Sequence, residues 1–364
     1  MVLSARLMLQ NMLSNRSSSL LAKVSRRGAV VLAGTIAIVL SASSVPSVRA
    51  DVIDWNNPAG GDFNIPGNWT PNTVPGVGDI ARFNIPTGNI AWAADIAPKS
   101  INFDTAATTF SLGTLGGNTL TTADSGSIAI LSTLTSAGQT FTINAPIILA
   151  PASPTAAGTY TFQNDGTSAT TTLQFAGNIA AGTTTLAETL NLAGTNTGTN
   201  TISGVISNGG AASLGVTKNG AGTWVLSGAN TYTGATNIAA GTLVLSGGNN
   251  RLATTGTVNF TGANGTLDLG STSQSLANVT FALTGTNNYT LRGAGGALTV
   301  TGSSFSVGAG NSTVGGSETV DMTGLGSFTY TNSGGTFAVG GRADVGAGVP
   351  SSGILSLATT NAIT

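Results

Sequence analysis

The chain of 364 residues contains no cysteine and no histidine. Without them it cannot form disulfides, thiol nucleophiles, histidine-based catalytic triads or the usual zinc sites. Charged residues make up only 7% of the sequence, and it contains no P-loop and no complete dinucleotide-binding glycine motif. Packing and backbone pairing must therefore stabilise the fold, and several large classes of enzyme are excluded.

Helical periodicity is also missing after Ala50, because no stretch of ten residues repeats apolar side chains with a period of 3.6. Short alternating runs appear instead, separated by glycine, asparagine and serine, at residues 127–131, 140–143, 171–175 and 299–300. The sequence holds 52 glycines, yet 40% of it is hydrophobic. Such a composition favours an ordered chain over a disordered one. We therefore predict an all-β fold of many short strands.

Residues 1–50 have the pattern of a cleavable signal peptide. They contain six basic residues and no acidic one, residues 28–40 are free of charge, and Val48-Arg49-Ala50 supplies small residues at the cleavage positions. The uncharged run is shorter than the roughly 20 residues that cross a bilayer, which disfavours an uncleaved anchor. General secretion is the default route, and Arg26-Arg27 weakly resembles a twin-arginine signal.

Removal of this leader would change the charge balance. Residues 51–364 carry six basic and thirteen acidic residues, a net charge of −7. An acidic chain without clustered lysine and arginine argues against nucleic acid as a partner. It also disfavours binding to anionic membrane surfaces.

A repeat is visible in the middle of the chain. Residues 222–228 (GTWVLSG) recur at 241–247 (GTLVLSG), nineteen residues later, and a third copy begins at Gly265. Repeats of about twenty residues predict a solenoid. Because side chains alternate along a strand, we expect Trp224 to stack on Leu243 and Leu226 on Leu245. Glycine and asparagine after each copy, at Gly228, Gly247, Asn230, Asn249 and Asn250, are expected at the corners.

Residues 51–104 differ in composition from the rest of the exported chain. They hold three of the four tryptophans, Trp55, Trp69 and Trp92, and most of its prolines. The open end of a solenoid exposes unpaired strand edges and needs a cover. We therefore predict an N-terminal cap over 51–104 and a β-helix repeat region over 105–364, with the clearest repeat at 216–248.

Two segments resemble a known family. Residues 216–234 (VTKNGAGTWVLSGANTYTG) and their continuation to Leu243 resemble the autotransporter-associated β-strand repeat. Asn68-Trp69 with residues 75–83 (PGVGDIARF) is similar to the opening of many exported β-helical proteins. The resemblance implies a right-handed parallel β-helix, exported to the cell surface or beyond. Autotransporters end in a membrane barrel, whereas this sequence keeps its repeat composition to Thr364, so we expect secretion without its own porter or an incomplete reading frame.

Acidic residues are the natural candidates for chemistry on a β-helix, since glycosidases need two facing carboxylates. Within the pairs Asp51/Asp54 and Glu318/Asp321, positions three apart face opposite sides of a strand. The basic residues Lys218, Arg251, Arg292 and Arg342 are isolated in sequence, so solvated surface charges are expected. The acids are scattered along the chain: Asp51, Asp54, Asp62, Asp79, Asp95, Asp104, Asp124, Asp165, Glu188, Asp268, Glu318, Asp321 and Asp344.

No residue is therefore nominated as catalytic, cofactor-binding or metal-binding, and no cofactor is expected. Residues 76–79 are interpreted as a turn, and threonine rows such as 183–185 as ordinary strand residues and not an ice-binding face. The favoured hypothesis is a non-enzymatic surface or secreted scaffold with an adhesive or structural function. The alternative is a secreted carbohydrate-active β-helix enzyme, a polysaccharide lyase or glycosidase, with acids brought together by stacking.

The expected partners of the scaffold are surface glycans or other cell-surface proteins. Contact with a membrane is expected only through the export machinery or a missing C-terminal anchor.

Overall fold

The computed structural model describes residues 50–123, 125–282, 286–308, 317–332, 334–340 and 352–364. The predicted signal peptide, residues 1–50, lies outside the described residues except for Ala50. Within them the chain is all-β, as predicted, with one 3₁₀ turn, η1 (Pro66–Asn68). Its strands pile up in parallel stacks, so the chain is a parallel β-helix.

The first stack runs from the N-terminal end of the described chain, and each strand pairs in parallel with the next. The register shifts at two places, after Thr184 and after Ile238. Its members are β1 (Val52–Trp55), β4 (Ile80–Phe83), β6 (Ser100–Phe103), β9 (Ser127–Ile130), β12 (Thr159–Asn164), β15 (Thr184–Ala193), β18 (Ala211–Lys218), the first halves of β20 (Thr236–Leu245) and β21 (Thr257–Asp268), and β23 (Asn278–Phe281).

The second stack is formed by the strands that follow one corner later in each coil. Its members are β2 (Gly61–Asp62), β5 (Ile90–Ala91), β7 (Phe110–Leu112), β10 (Thr140–Ile143), β13 (Thr172–Phe175), β16 (Thr199–Ile202), β19 (Thr223–Leu226), the second halves of β20 and β21, the first part of β24 (Asn287–Val300), β26 (Ser317–Asp321) and β29 (Ser352–Ser356).

Two further parallel series complete the coils. One contains β8 (Leu120–Ala123), β11 (Ile147–Ala150), β14 (Ile179–Ala181) and β17 (Ile206–Ser207); the other contains β22 (Ser273–Leu276), the second part of β24, β27 (Leu325–Tyr330) and β30 (Thr360–Ile363). The remaining strands are β3 (Trp69–Thr70), antiparallel to β1, and the parallel pair β25 (Ser304–Val307) and β28 (Thr336–Val339).

Alternation of buried and outward side chains explains why these residues form strands. Inward residues stack over one another from coil to coil, which keeps a continuous dry interior. The predicted stacking is confirmed, because Trp224 pairs with Leu243 and Leu226 with Leu245, and all four are fully buried. Inward apolar residues lie over inward apolar residues of the next coil because these strands are parallel and in register.

Coil length differs from the predicted value over much of the chain. Stacked polar side chains from Thr217 to Thr280 are 20, 22 and 21 residues apart, close to the expected twenty. Thr172 and Thr140, by contrast, stack with a separation of 32 residues. The extra residues lie in the corners, where surface loops tolerate insertion without disturbing strand register.

The predicted corner residues serve two purposes. Gly247 and Asn250 adopt positive φ angles of 76° and 51°, which glycine and asparagine accept most readily. Gly228 is needed for a different reason, since a Cβ atom there would lie 2.2 Å from the carbonyl oxygen of Gly204 in the preceding coil.

The N-terminal end of the helix is covered by its own chain. β3 pairs antiparallel with β1 on the edge opposite β4. The Trp55 and Trp69 rings meet edge to face with centroids 4.9 Å apart, and both are buried. Yet β4 and β6 already stack in parallel with later strands, so the cap and the repeats share one core. The predicted boundary at 104 stays a prediction.

Candidate functional site

Three charged residues form a ladder across the first coils. The guanidinium of Arg82 donates to both carboxylate oxygens of Asp54, at 2.6 and 2.9 Å, and lies 3.6 Å from Asp104. The bond with Asp54 raises the pKa of Arg82 above its usual value. Burial favours a higher pKa for Asp104, but hydrogen bonds from Thr133 and Thr105 outweigh it and lower the pKa. The lowered pKa favours the ionised form of Asp104, and both acids are engaged by structural partners.

Several other acids accept hydrogen bonds from backbone amides. Asp79 accepts from Gly76 at 2.9 Å within the turn expected at 76–79. Asp95 accepts from Thr119 at 2.7 Å, and Asp165 from Thr195 at 2.9 Å, each joining one coil to the next. Such carboxylates fix corners, which is a structural use of the charge.

Two glutamates depart from the expectation of solvated charge. Glu188 and Glu318 are each only 1% exposed. Glu318 Oε2 accepts a 2.6 Å hydrogen bond from the amide of Gly308, while burial raises its pKa. Asp321 faces the other side of the strand, as predicted for a pair three residues apart. Burial, together with the charge of Glu318, raises the pKa of Tyr289 to about 12.

Lys218 also contradicts the expectation of an isolated surface charge, because it is fully buried. It replaces an apolar residue in an inward column, between Leu192 of the preceding coil and Ile238 of the next. Its ammonium donates to the carbonyl oxygens of Asn219, Gly220 and Ala240 at 3.2, 2.7 and 3.1 Å. Burial lowers its pKa to about 8.

Sequence alternation could have revealed the position of Lys218. Leu214 and Val216 occupy inward positions on the same strand, and Lys218 is the next residue of that register. A corner with three converging carbonyl oxygens is where a buried ammonium can be satisfied. Lys218 therefore has a structural function, because its ammonium group links its own coil to the next by hydrogen bonds.

Arg292 is not isolated either, because its Nε lies 2.7 Å from Asp268 Oδ2 on the neighbouring coil. Asp124, Arg342 and Asp344 lie outside the described residues. Over the described part of the chain, no group of three acidic residues is placed to hold a metal ion. Nor does that part contain a helix long and apolar enough to cross a membrane.

The outward sides of the first two stacks differ in how their polar groups are used. On the first stack, Asn259 donates to Asn237 at 2.9 Å and accepts from Thr280 at 2.6 Å. These side chains satisfy one another in a ladder along the stack.

Threonines align on the outward side of the second stack. Thr140 pairs with Thr172, and Thr199 begins an unbroken paired series that ends at Thr290. Gln174 pairs with Thr201, two residues further along each strand, which joins the two parts. We call this the threonine column: Thr140, Thr172, Thr199, Thr223, Thr242, Thr266 and Thr290.

A cleft opens beside the N-terminal end of this column, with a volume of about 430 Å³. Its lining has no charged residue and includes the amides of Asn89 and Asn144, the hydroxyl of Ser111 and the side chain of Leu115, which is 73% exposed. Ser111 pairs with Thr142 of the neighbouring strand. Cleft and column therefore share one face.

These features define a parallel β-helix whose described acids largely support the coils and whose second stack presents a neutral polar face. Residues 216–245 match the model of the passenger-associated-transport repeat, so the chain carries an autotransporter passenger repeat. The matched segment includes Lys218, Trp224 and the stacked Leu243. No curated protein and no solved structure matches the chain.

Proposed function

We propose that this chain is an exported, non-enzymatic passenger-type β-helix that acts as an adhesive or structural scaffold at the cell surface or in the surroundings. The observation that carries the proposal is the passenger repeat at 216–245, which lies within one continuous series of stacked strands. A long stack of coils offers lateral surface for many weak contacts.

The placement of the charged groups supports a role without catalysis. A glycosidase or lyase needs acids that reach a substrate. Asp54 is bound to Arg82, Asp268 is bound to Arg292, and Glu188 and Glu318 are buried. Charges engaged in this way hold coils together and leave the lateral surface for binding.

Export is tested by expressing the full chain, with an epitope tag after Thr364, in a Gram-negative host. We expect the tag outside the cytoplasm, and its retention inside when residues 1–50 are removed. Accumulation of the complete chain in the cytoplasm with its leader attached would contradict export.

Scaffold function is tested with the exported chain after purification. Beads coated with it are expected to bind whole cells better than albumin-coated beads. The same protein is incubated with neutral and acidic polysaccharides while reducing ends and unsaturated uronates are measured. Catalytic release of either product would overturn the non-enzymatic assignment, and equal capture by both kinds of bead would overturn the adhesive one.

A further inference from the structure

We propose that the threonine column and the adjoining cleft form a binding track for an extended, uncharged polysaccharide lying along the stack. This inference rests on the proposed scaffold function and assigns its ligand class and its site. The column presents hydroxyl groups at the same register in successive coils, about 4.8 Å apart. Seven threonines give a track roughly 30 Å long.

Five of the seven hydroxyl groups of the threonine column are available for a ligand, whereas Thr172 donates to Thr140 at 3.2 Å. Across the described residues, no hydrogen bond uses the side-chain oxygen of Thr199, Thr223, Thr242, Thr266 or Thr290. All five are partly or fully exposed. A hydroxyl both donates and accepts, as sugar hydroxyls do. On the first stack, by contrast, Asn237, Asn259 and Thr280 are already paired with one another.

Charge on the face favours a neutral ligand. The column beside the threonines is uncharged through six coils, at Ser111, Thr142, Gln174, Thr201, Val225 and Val244. The next two members, Asp268 and Arg292, neutralise each other as an ion pair. Arg251, at the corner beyond, donates to the carbonyl oxygen of Ser227. An anionic or cationic polymer finds no complementary charge along this track.

Shape and polarity favour a sugar polymer over a compact ligand. Each threonine adds a methyl group to its hydroxyl, and the partly exposed Val244 lies beside the column, so apolar groups and hydroxyls are interspersed. Sugar rings present C–H faces rimmed by hydroxyls and match that arrangement. The cleft supplies a concave end of about 430 Å³ beside Asn144 and Asn89. The Oδ1 of Asn89 already accepts from the amide of Ser111, so we expect Asn144 to orient a sugar unit there.

The test removes hydroxyls without changing side-chain shape. The variant Thr223→Val/Thr242→Val/Thr266→Val keeps β-branched residues that suit a strand. The matched control, Thr161→Val/Thr189→Val/Thr217→Val, removes three hydroxyls from the first stack. Asn144→Ala tests the cleft separately. Binding of each purified chain to soluble β-glucan, mannan and galactan, and to an acidic polyuronate, is measured by titration, with circular dichroism to check folding.

Losing one bonded hydroxyl weakens binding about fivefold. We therefore expect the triple column variant to bind a neutral polysaccharide at least about tenfold more weakly than the control, which keeps the original affinity. Asn144→Ala should also weaken binding. Equal affinity of the column variant and the control overturns the proposal, as does preference for the polyuronate.

Other occupants of this face would be recognised in the same samples. Ice recrystallisation inhibition that requires the column threonines, without polysaccharide binding, would identify ordered water as the ligand and overturn the proposal. Self-association that is lost only in the column variant would identify a second copy of this chain as the occupant of the face, and would also overturn the proposal. If no polysaccharide binds but coated beads still capture cells, this inference fails while the scaffold function stands.

Discussion

At the scale of single residues, the length of each corner decides which side chains stack from one coil to the next. Trp224 over Leu243 follows from a nineteen-residue repeat and the pleat. The threonine column does not, because Thr172 lies 32 residues after Thr140, whereas Thr242 follows Thr223 by nineteen. Corner length varies independently of strand register, so no fixed period aligns these threonines.

Gly241 offers a test of how closely the coils pack. Its φ is +68°, and a Cβ atom would lie 2.5 Å from the carbonyl oxygens of both Gly220 and Gly222. Gly116 has φ +67° with nothing within 4 Å of the same position, so it isolates the backbone cost. We expect Gly116→Ala to lower the free energy of unfolding by about 1 kcal/mol and Gly241→Ala by about 3 kcal/mol.

Chemical denaturation of both variants measures the difference. Equal losses at the two positions would mean that neighbouring coils can separate enough to accept a methyl group.

Lys218 predicts a pH dependence of stability. Its pKa is about 8 in the folded chain against 10.5 ordinarily. Between these values the unfolded chain binds more protons than the folded one, so the free energy of unfolding should rise with pH. Lys218→Met abolishes this contribution. Denaturation of both proteins from pH 7 to 10.5 measures this contribution. Above pH 8, the free energy of unfolding of the original chain should rise relative to that of the variant. Curves of free energy against pH that stay parallel would contradict the prediction.

At the scale of strands and coils, the all-β class could be predicted from alternation, and the solenoid from the repeat. Strands at 127–130 and 140–143 coincide with the alternating runs. Alternation also places Lys218 and Glu318 at inward positions, but it does not reveal which groups satisfy their buried charges. The ammonium of Lys218 binds carbonyl oxygens beside it in sequence and that of Ala240 in the next coil, whereas Glu318 accepts from Gly308, so no single spacing reveals these partners.

Coils of matched register should be removable as units. Thr217 pairs with Asn237 and Lys218 with Ile238. Deletion of residues 218–237 therefore joins Thr217 to Ile238 with every later inward residue still facing the core. Deletion of residues 218–227 removes about half a coil, so corner residues of the later coils would be aligned with strands of the preceding coil. We expect the first variant to keep a strand-dominated circular dichroism spectrum and a cooperative transition, and the second to lose both.

Tolerance of both deletions alike would contradict a register fixed by stacked inward columns. Loss of structure in both would show that the removed coil is needed for its own contacts, beyond the register it maintains.

At the scale of the whole described chain, the two largest aromatic clusters lie in the N-terminal coils and between Phe260 and Phe337. Ring contacts run without a break from Trp55 through Trp69, Phe83 and Phe103 to Phe141, with centroids 4.9, 5.7, 5.9 and 4.4 Å apart. Such pairs add stabilisation beyond the area they bury. Each coil contacts mainly its neighbours, so this extra stability stays local, as in other solenoids.

The tryptophans can report whether the coils unfold together. Trp55, Trp69 and Trp92 lie in the aromatic N-terminal coils, and Trp224 lies in the matched repeat. In a Trp224→Phe background, fluorescence follows the N-terminal coils alone while circular dichroism follows all strands. Adding Gly241→Ala should then move the circular dichroism midpoint to lower denaturant and leave the fluorescence midpoint nearly unchanged, because destabilisation of one coil weakens mainly its neighbours. Coincident shifts of both midpoints would instead require the stack to unfold as one cooperative unit, with the aromatic end coupled to the repeat through every intervening coil.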